Sequence, residues 1–190
     1  MTQILELIKL LGLGIASLII CSIAMADIKN TKDFMKAIEE VRQEYPEDSI
    51  ERKIPTGFIA TVAAAETGNF QFKGAPTAQK GNNYFGMKPI GDQDFVTTTG
   101  GTNIASFPDS KASIRSFLSL ISTDDRYKNV MESTEKVEDM FIGMSPYAER
   151  TDYPSFLANV YNDRIKPIVE TENMLIPRRK PIANQMDNLQ

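Results

Sequence analysis

Glu66 is the residue whose type and position point most directly to chemistry. It falls at the end of an apolar helical stripe, Ile59, Val62 and Ala63, two residues before Gly68. A helix C-terminus disfavours negative charge, and partial burial disfavours it too, so both effects raise a carboxyl pKa. A carboxylic acid that stays protonated near neutral pH is what general-acid cleavage of a glycosidic bond requires. The same pattern also fits an exposed glutamate in a last helical turn, with Ala63 to Ala65 as helix filler.

Composition narrows what else can act. The chain has 190 residues and no histidine, which removes Ser-His-Asp and Cys-His catalysis and every imidazole metal site. Its single cysteine, Cys21, leaves no internal disulfide and no thiolate cluster. The acid pairs Asp124-Asp125 and Glu138-Asp139 lack the alternating oxygen spacing of a calcium loop, so neither metal nor cofactor is expected. Acids outnumber bases, 25 to 21, and that balance gives no cationic field for nucleic acid. An acidic protein of this kind meets an anionic wall polymer through local contacts rather than long-range attraction. Hydrophobic residues at 42% and charged residues at 24% describe an ordinary globular domain.

The first segment reads as an address. Leu10 to Ile23 is an almost unbroken apolar run, preceded by Lys9 and followed by Ala24-Met25-Ala26 and then Asp27. That order predicts a secretory signal peptide over residues 1–26, with an uncleaved membrane anchor as the competing reading. The expected location is therefore periplasmic or secreted, with membrane contact only through this segment if it is retained. Residues 27–170 form the expected domain. Residues 171–190 lose periodicity, carry Arg178, Arg179 and Lys180, and are expected to be a mobile tail.

Helices must position the chemistry. Phe34, Ile38, Val41 and Tyr45 recur at helical spacing, with Asn30 or Thr31 as cap and Pro46 as stop. A polar link from Glu47 to Lys53 follows. Pro55 suits the first turn of the helix that carries Glu66, and Gly68 is placed to end it in a left-handed conformation. Asn69 to Gly91 reads as irregular. Phe95 to Thr99 and Thr102 to Phe107, either side of Gly100-Gly101, predict a hairpin. Further helices are expected after Asp109, with Ile114, Phe117, Leu118 and Ile121 inside, over Glu135 to Ile142, and from Pro154 towards Pro167, which should kink or end the last. The fold class is α+β, mainly α, with one small hairpin that must lean on helices and so walls a cleft.

Four segments carry a family resemblance. Ala63-Ala64-Ala65-Glu66-Thr67-Gly68 resembles the A-x-E-[ST]-G helix end of bacterial peptidoglycan N-acetylglucosaminidases. Gly81-Asn82-Asn83-Tyr84-Phe85-Gly86-Met87-Lys88 is similar to that family's N-[LY]-F-G-[IM]-K segment. Ala105 to Ser110 with the following helix resembles its F-x-x-Y-x-S region, and Tyr147-Ala148 with Asp152-Tyr153 its Y-A-x-D-x-x-Y segment. The blocks occur in family order across roughly residues 55 to 165, and the upstream helix with its charged link resembles the Bax-like branch.

The resemblance implies a lysozyme-like domain whose hairpin flanks a glycan-binding cleft. It makes Glu66 the proton donor for cleaving the β-1,4 bond between N-acetylglucosamine and N-acetylmuramic acid, with peptidoglycan strands as partner. Asn83, Phe85 and Gly86 would shape the groove, Tyr84 would show it a face, and Tyr147 matches a tyrosine near the reacting sugar. Phe85 suits the core equally well, and a simple turn is the plain alternative for the Asn82-Asn83 pair. Two departures matter. The chain has no tryptophan after its glutamate, where the family often has one. The hairpin strands contain no acid, so Asp94, just before them, is the candidate second carboxylate beside a solvated-loop reading. A substrate acetamido group attacking its own anomeric carbon, a lytic transglycosylase outcome, or a wall-binding protein without catalysis are the alternatives.

Overall fold

A computed structural model describes residues 30–71, 76–133 and 136–172. The apolar leader with Cys21 and Ala26, and the basic tail with Met174 and Arg178 to Lys180, lie outside the described residues.

Helix α1 spans Thr31–Arg42, and the Asn30 side chain caps it by accepting a hydrogen bond from the Asp33 amide at 3.0 Å. It ends at Arg42, short of Pro46, and Tyr45 packs half-buried beyond it. The polar link contains a helical turn, α2 (Ile50–Lys53), with the Ser49 side chain accepting from the Arg52 amide. Helix α3 (Thr56–Thr67) starts immediately after Pro55 and stops at Gly68, whose φ of 60° is the left-handed cap expected there. Rather than burying one stripe, α3 is apolar all round and runs through the centre of the molecule. Small residues permit this: a Cβ on Gly57 would lie 3.2 Å from the Tyr161 ring.

A short helix, α4 (Pro76–Lys80), opens the segment that leads to the hairpin. Strands β1 (Phe95–Thr97) and β2 (Asn103–Ala105) pair antiparallel, with Phe95 opposite Ala105 and Thr97 opposite Asn103. They are shorter than their sequence pattern suggested. From Thr98 onward the chain turns through Gly101, and past Ala105 one further bond in register, from the Ser106 amide to the Asp94 carbonyl, precedes the Phe107 amide's turn to Gly81.

Helix α5 (Ser110–Thr123) is capped by Asp109 and buries Ile114, Phe117, Leu118 and Ile121. A 3-10 turn (Asp125–Tyr127) and α6 (Lys128–Glu132) follow, neither of which has a long enough apolar period to announce itself. Helix α7 spans Val137–Ile142. Gly143 behind it keeps a right-handed φ; it is small because a Cβ would come within 2.5 Å of the Val130 amide. After a second 3-10 turn (Ser145–Tyr147), α8 (Tyr153–Val160) continues through a π-helical turn (Tyr161–Ile165) into α9 (Lys166–Thr171). The π turn shifts the bonding register just ahead of Pro167, so the helix passes the proline instead of ending. It therefore reaches Thr171, and Glu172 pairs with Lys32 of α1 at 2.5 Å.

The core is one apolar cluster around α3. Phe58 stacks near Phe117 and Phe141, and Phe117 stacks on Phe85 with centroids 4.2 Å apart and planes 4° from parallel.

Candidate active site

Everything at the site is arranged around the last turn of α3. Glu66 is half-buried there, and its Oε1 accepts a hydrogen bond from the Tyr153 hydroxyl at 2.5 Å. Burial raises the carboxyl pKa; the Tyr153 bond and the positive field of Arg150 oppose that rise without cancelling it. Tyr153 is buried, at the start of α8, and its ring stacks on Tyr147 with centroids 6.0 Å apart and planes 10° from parallel. Burial and the Glu66 charge push both phenols' pKa up, so both remain hydrogen-bond donors at physiological pH. The Tyr147 hydroxyl donates to the Phe85 carbonyl at 2.5 Å.

The next residue, Gly86, closes the arrangement. Its φ is +64°, and a Cβ there would sit 2.9 Å from Glu66 Oε2. Glycine is required twice over at this position, by backbone conformation and by contact with the acid.

Gly86 also forms the rim of a cavity of about 890 Å³, within the range of small-molecule sites. Gly86 to Ile90 line one side, with Gln93 and Phe107 from the flanks of the hairpin. The outward side of α5, the turn at Asp124 to Tyr127, and Pro146 to Glu149 form the rest. Glu66 is not itself a lining residue; it adjoins the cavity through Gly86 and Tyr147. The site is thus a partly buried carboxylic acid, two neutral phenols and a glycine, set at the edge of a cleft with polar and apolar walls. This arrangement can donate a proton to an oxygen that enters from the cleft.

Sequence and structural relatives bear on that chemistry. The glucosaminidase family, described as mannosyl-glycoprotein endo-β-N-acetylglucosaminidase, matches residues 42–166. The chain belongs to the glucosaminidase family. Its fold is similar to the glycoside hydrolase domain of FlgJ from Salmonella typhimurium, with a TM-score of 0.55 at 19% identity, covering 76% of this chain and 93% of that one. It is also similar to a peptidoglycan hydrolase from Sphingomonas sp. A1, with a TM-score of 0.57 at 17% identity, covering 78% and 94%. The catalytic domain of the autolysin Auto from Listeria monocytogenes aligns with a TM-score of 0.50 at 17% identity, covering 84% and 93%. No curated protein sequence matches the chain closely enough to count as a relative.

The glucosaminidase domain distributes the candidate residues unevenly. Glu66 and Tyr147 meet at the cleft edge, joined through Tyr153 and Gly86. Asn83, expected in the groove, is 1% exposed. Its Nδ2 donates to the Met87 and Ala105 carbonyls at 2.8 and 2.9 Å, and its Oδ1 accepts from the Met87 amide at 3.0 Å. It therefore laces the Gly81–Met87 loop to β2 and has no polar atom left for a sugar. Tyr84, expected to show a face to the groove, is buried and stacks on Phe34 of α1, centroids 4.6 Å apart. Phe85 takes its core alternative, fully buried against Phe117. Asp94 stands exposed at the start of β1 and does not line the cavity, although its neighbour Gln93 does.

Three residues of the site were not singled out for it by sequence reasoning. Tyr153, the donor to Glu66, is one, and its place in the Y-A-x-D-x-x-Y segment was the available signal. Glu149 and Asp124 are the carboxylates that line the cavity. Asp124 is bound by Arg126 through contacts of 2.6 to 3.1 Å, while Glu149 projects from the loop two residues beyond Tyr147. Only folding of that loop against α5 could reveal either.

Proposed function

We propose that this glucosaminidase-family chain is an exported peptidoglycan hydrolase. It cleaves the β-1,4 bond between N-acetylglucosamine and N-acetylmuramic acid, with Glu66 as general acid. The observation that carries this reading is the half-buried Glu66 carboxyl, raised in pKa by its burial and set against Gly86 at the cleft rim. The similarity to the Sphingomonas peptidoglycan hydrolase supports the substrate class, and the Ala24-Met25-Ala26 pattern supports export.

In this mechanism the glycan lies along the cleft, and Glu66 gives its proton to the leaving oxygen as the C1–O bond breaks. The positive charge that develops on the sugar needs a partner on its other face. The substrate's own acetamido oxygen can supply one, and Glu149 is a protein carboxylate on the cleft wall that can act with it. Asp94 is the weaker candidate because its side chain stands away from the lining.

Digestion of purified sacculi followed by mass spectrometry tests the reading. New reducing N-acetylglucosamine ends are expected, and their loss in Glu66→Gln with the fold retained. Anhydromuramic ends would reassign the protein as a lytic transglycosylase. Binding without any released product would leave it a wall-binding protein.

A further inference from the structure

The two oxygens of the Glu66 carboxyl have unlike surroundings. Oε1 faces inward and accepts from Tyr153, which is 2% exposed. Oε2 faces Gly86, whose missing side chain leaves room beside it at the cavity rim. A closed circuit of contacts fixes both sides together. It runs from Oε1 to the Tyr153 hydroxyl, through the Tyr153–Tyr147 stack, from the Tyr147 hydroxyl to the Phe85 carbonyl, and through the next peptide to Gly86 beside Oε2.

A carboxylic acid has one proton to place. If it sat on Oε1, the buried Tyr153 hydroxyl would have to turn its own hydrogen away from its one acceptor among the described residues, at the cost of an unpaired buried donor. With the proton on Oε2, the phenol keeps its bond and the acidic hydrogen points to the cleft. We infer that Tyr153 is a positioning residue that assigns the transferable proton to Oε2, on the Gly86 side, and then stabilises the carboxylate left behind. This deepens the proposed function and rests on Glu66 being the acid.

The step balances simply. The Oε2 proton moves to the leaving oxygen, which takes the electron pair of the broken C1–O bond. Glu66 is left as a carboxylate whose Oε1 holds a stronger, charge-assisted bond from Tyr153. The water consumed at C1 returns a proton to Glu66.

Tyr153→Phe keeps the ring and its stack on Tyr147 and removes only the hydroxyl. Without the charge-assisted bond to the carboxylate it becomes, and free to put its proton on either oxygen, Glu66 should lose about 10- to 100-fold in kcat. KM should stay within about twofold. Because the hydroxyl favours the charged carboxyl, its removal should also move the alkaline limb of the kcat pH profile to higher pH. A parent kcat with an unmoved limb overturns the inference. So does a lowered kcat whose limb stays in place, the result expected of a merely structural tyrosine. If Tyr153→Phe does not fold, 3-fluorotyrosine at position 153 serves instead. A more acidic phenol donates more strongly and should move the limb to lower pH, and a stationary limb again overturns the inference. Glu66→Gln in the same assay separates the two levels. An active Glu66→Gln defeats the general-acid reading itself, whereas an inactive one beside an unaltered Tyr153 variant defeats only the positioning role.

Discussion

Helix α3 is buried over ten of its twelve residues, whereas the hairpin strands pair over three residues each and leave Phe95 53% exposed. Neither lines the cleft directly: α3 adjoins it where Glu66 meets Gly86, and the hairpin reaches it only through its flanks at Gln93 and Phe107. The acid therefore sits on a tightly enclosed element, and part of the cleft wall near it hangs from one of the least supported. An acid that must hold an unfavourable protonation state needs rigid low-dielectric surroundings, and the end of a central helix supplies them. A wall that only has to follow a polymer can be thin. The contrast also explains how a hairpin without a carboxylate in its strands is compatible with the rest of the site: the acid does not depend on it.

Glu66→Gln tests the rigid side most severely. Activity on sacculi should fall about 10²- to 10⁴-fold, the usual contribution of a positioned general acid. Stability should move the other way. Burial raises the folded-state carboxyl pKa above its unfolded value, so the folded protein binds this proton more tightly. That contribution is complete below the ordinary glutamate pKa and is lost as pH rises through the raised folded value. Glutamine does not titrate, so the variant's Tm should exceed the parent's at neutral pH and approach it in acid. A Tm difference that is the same at every pH would mean that the carboxyl is not held in an unfavourable environment.

Gly86→Ala comes next. The left-handed φ of +64° costs a substituted residue about 1 kcal/mol. The new methyl must also push Glu66 Oε2 from its 2.9 Å approach. The expectation is a folded protein with kcat lowered about 10²-fold, the effect of displacing a reacting atom by around an ångström. Unchanged kcat would separate Gly86 from the acid.

Asn83→Ala carries the test across to the thin wall. Three buried hydrogen bonds from one amide hold the Gly81–Met87 loop to Met87 and Ala105. Their loss leaves the Met87 amide and the Ala105 carbonyl without these partners, while the Met87 carbonyl keeps the Ala105 amide, for about 2 kcal/mol of stability. Chemical denaturation measures it. Because the loop carries Gly86, activity should fall with stability and recover at lower temperature. A stable variant with weak glycan binding would instead put Asn83 back in the groove.

The helical frame was legible in the sequence where burial is one-sided or a cap is explicit. Asn30, Asp109 and Gly68 mark their helix ends by local chemistry that no tertiary contact overrides. Pattern was less informative where burial is complete. Around α3 every side is covered, so the stripe ending in Glu66 was only part of an all-round surface. The N-N-Y-F-G-M segment illustrates the other limit. Its residue types suit a sugar groove, yet two of its polar and aromatic side chains, Asn83 and Tyr84, are consumed by β2 and by Phe34 of α1. Helix α1 lies almost wholly outside the family match at 42–166, so motif reading could not include the surface against which Tyr84 stacks. Tyr153 was legible by position but not by partner, because 87 residues separate it from Glu66.

The smallest effects should come from the carboxylates of the thin side, and they decide how much the cleft wall adds to the acid. Asp94 is exposed and outside the lining, so Asp94→Asn should change kcat less than about twofold, as for most surface charges. Glu149 lines the cavity from the loop that Tyr147 anchors to Phe85. Glu149→Gln should lower kcat about 5- to 10-fold, below a full acid–base contribution because the site is open to water. The loss should shrink in high salt, since an exposed carboxylate acts through a screened field. If Asp94→Asn were the damaging variant instead, the hairpin would have to swing over the cleft during turnover. The thin wall would then be a moving part of the chemistry, and the division between a rigid acid and a passive wall would fail.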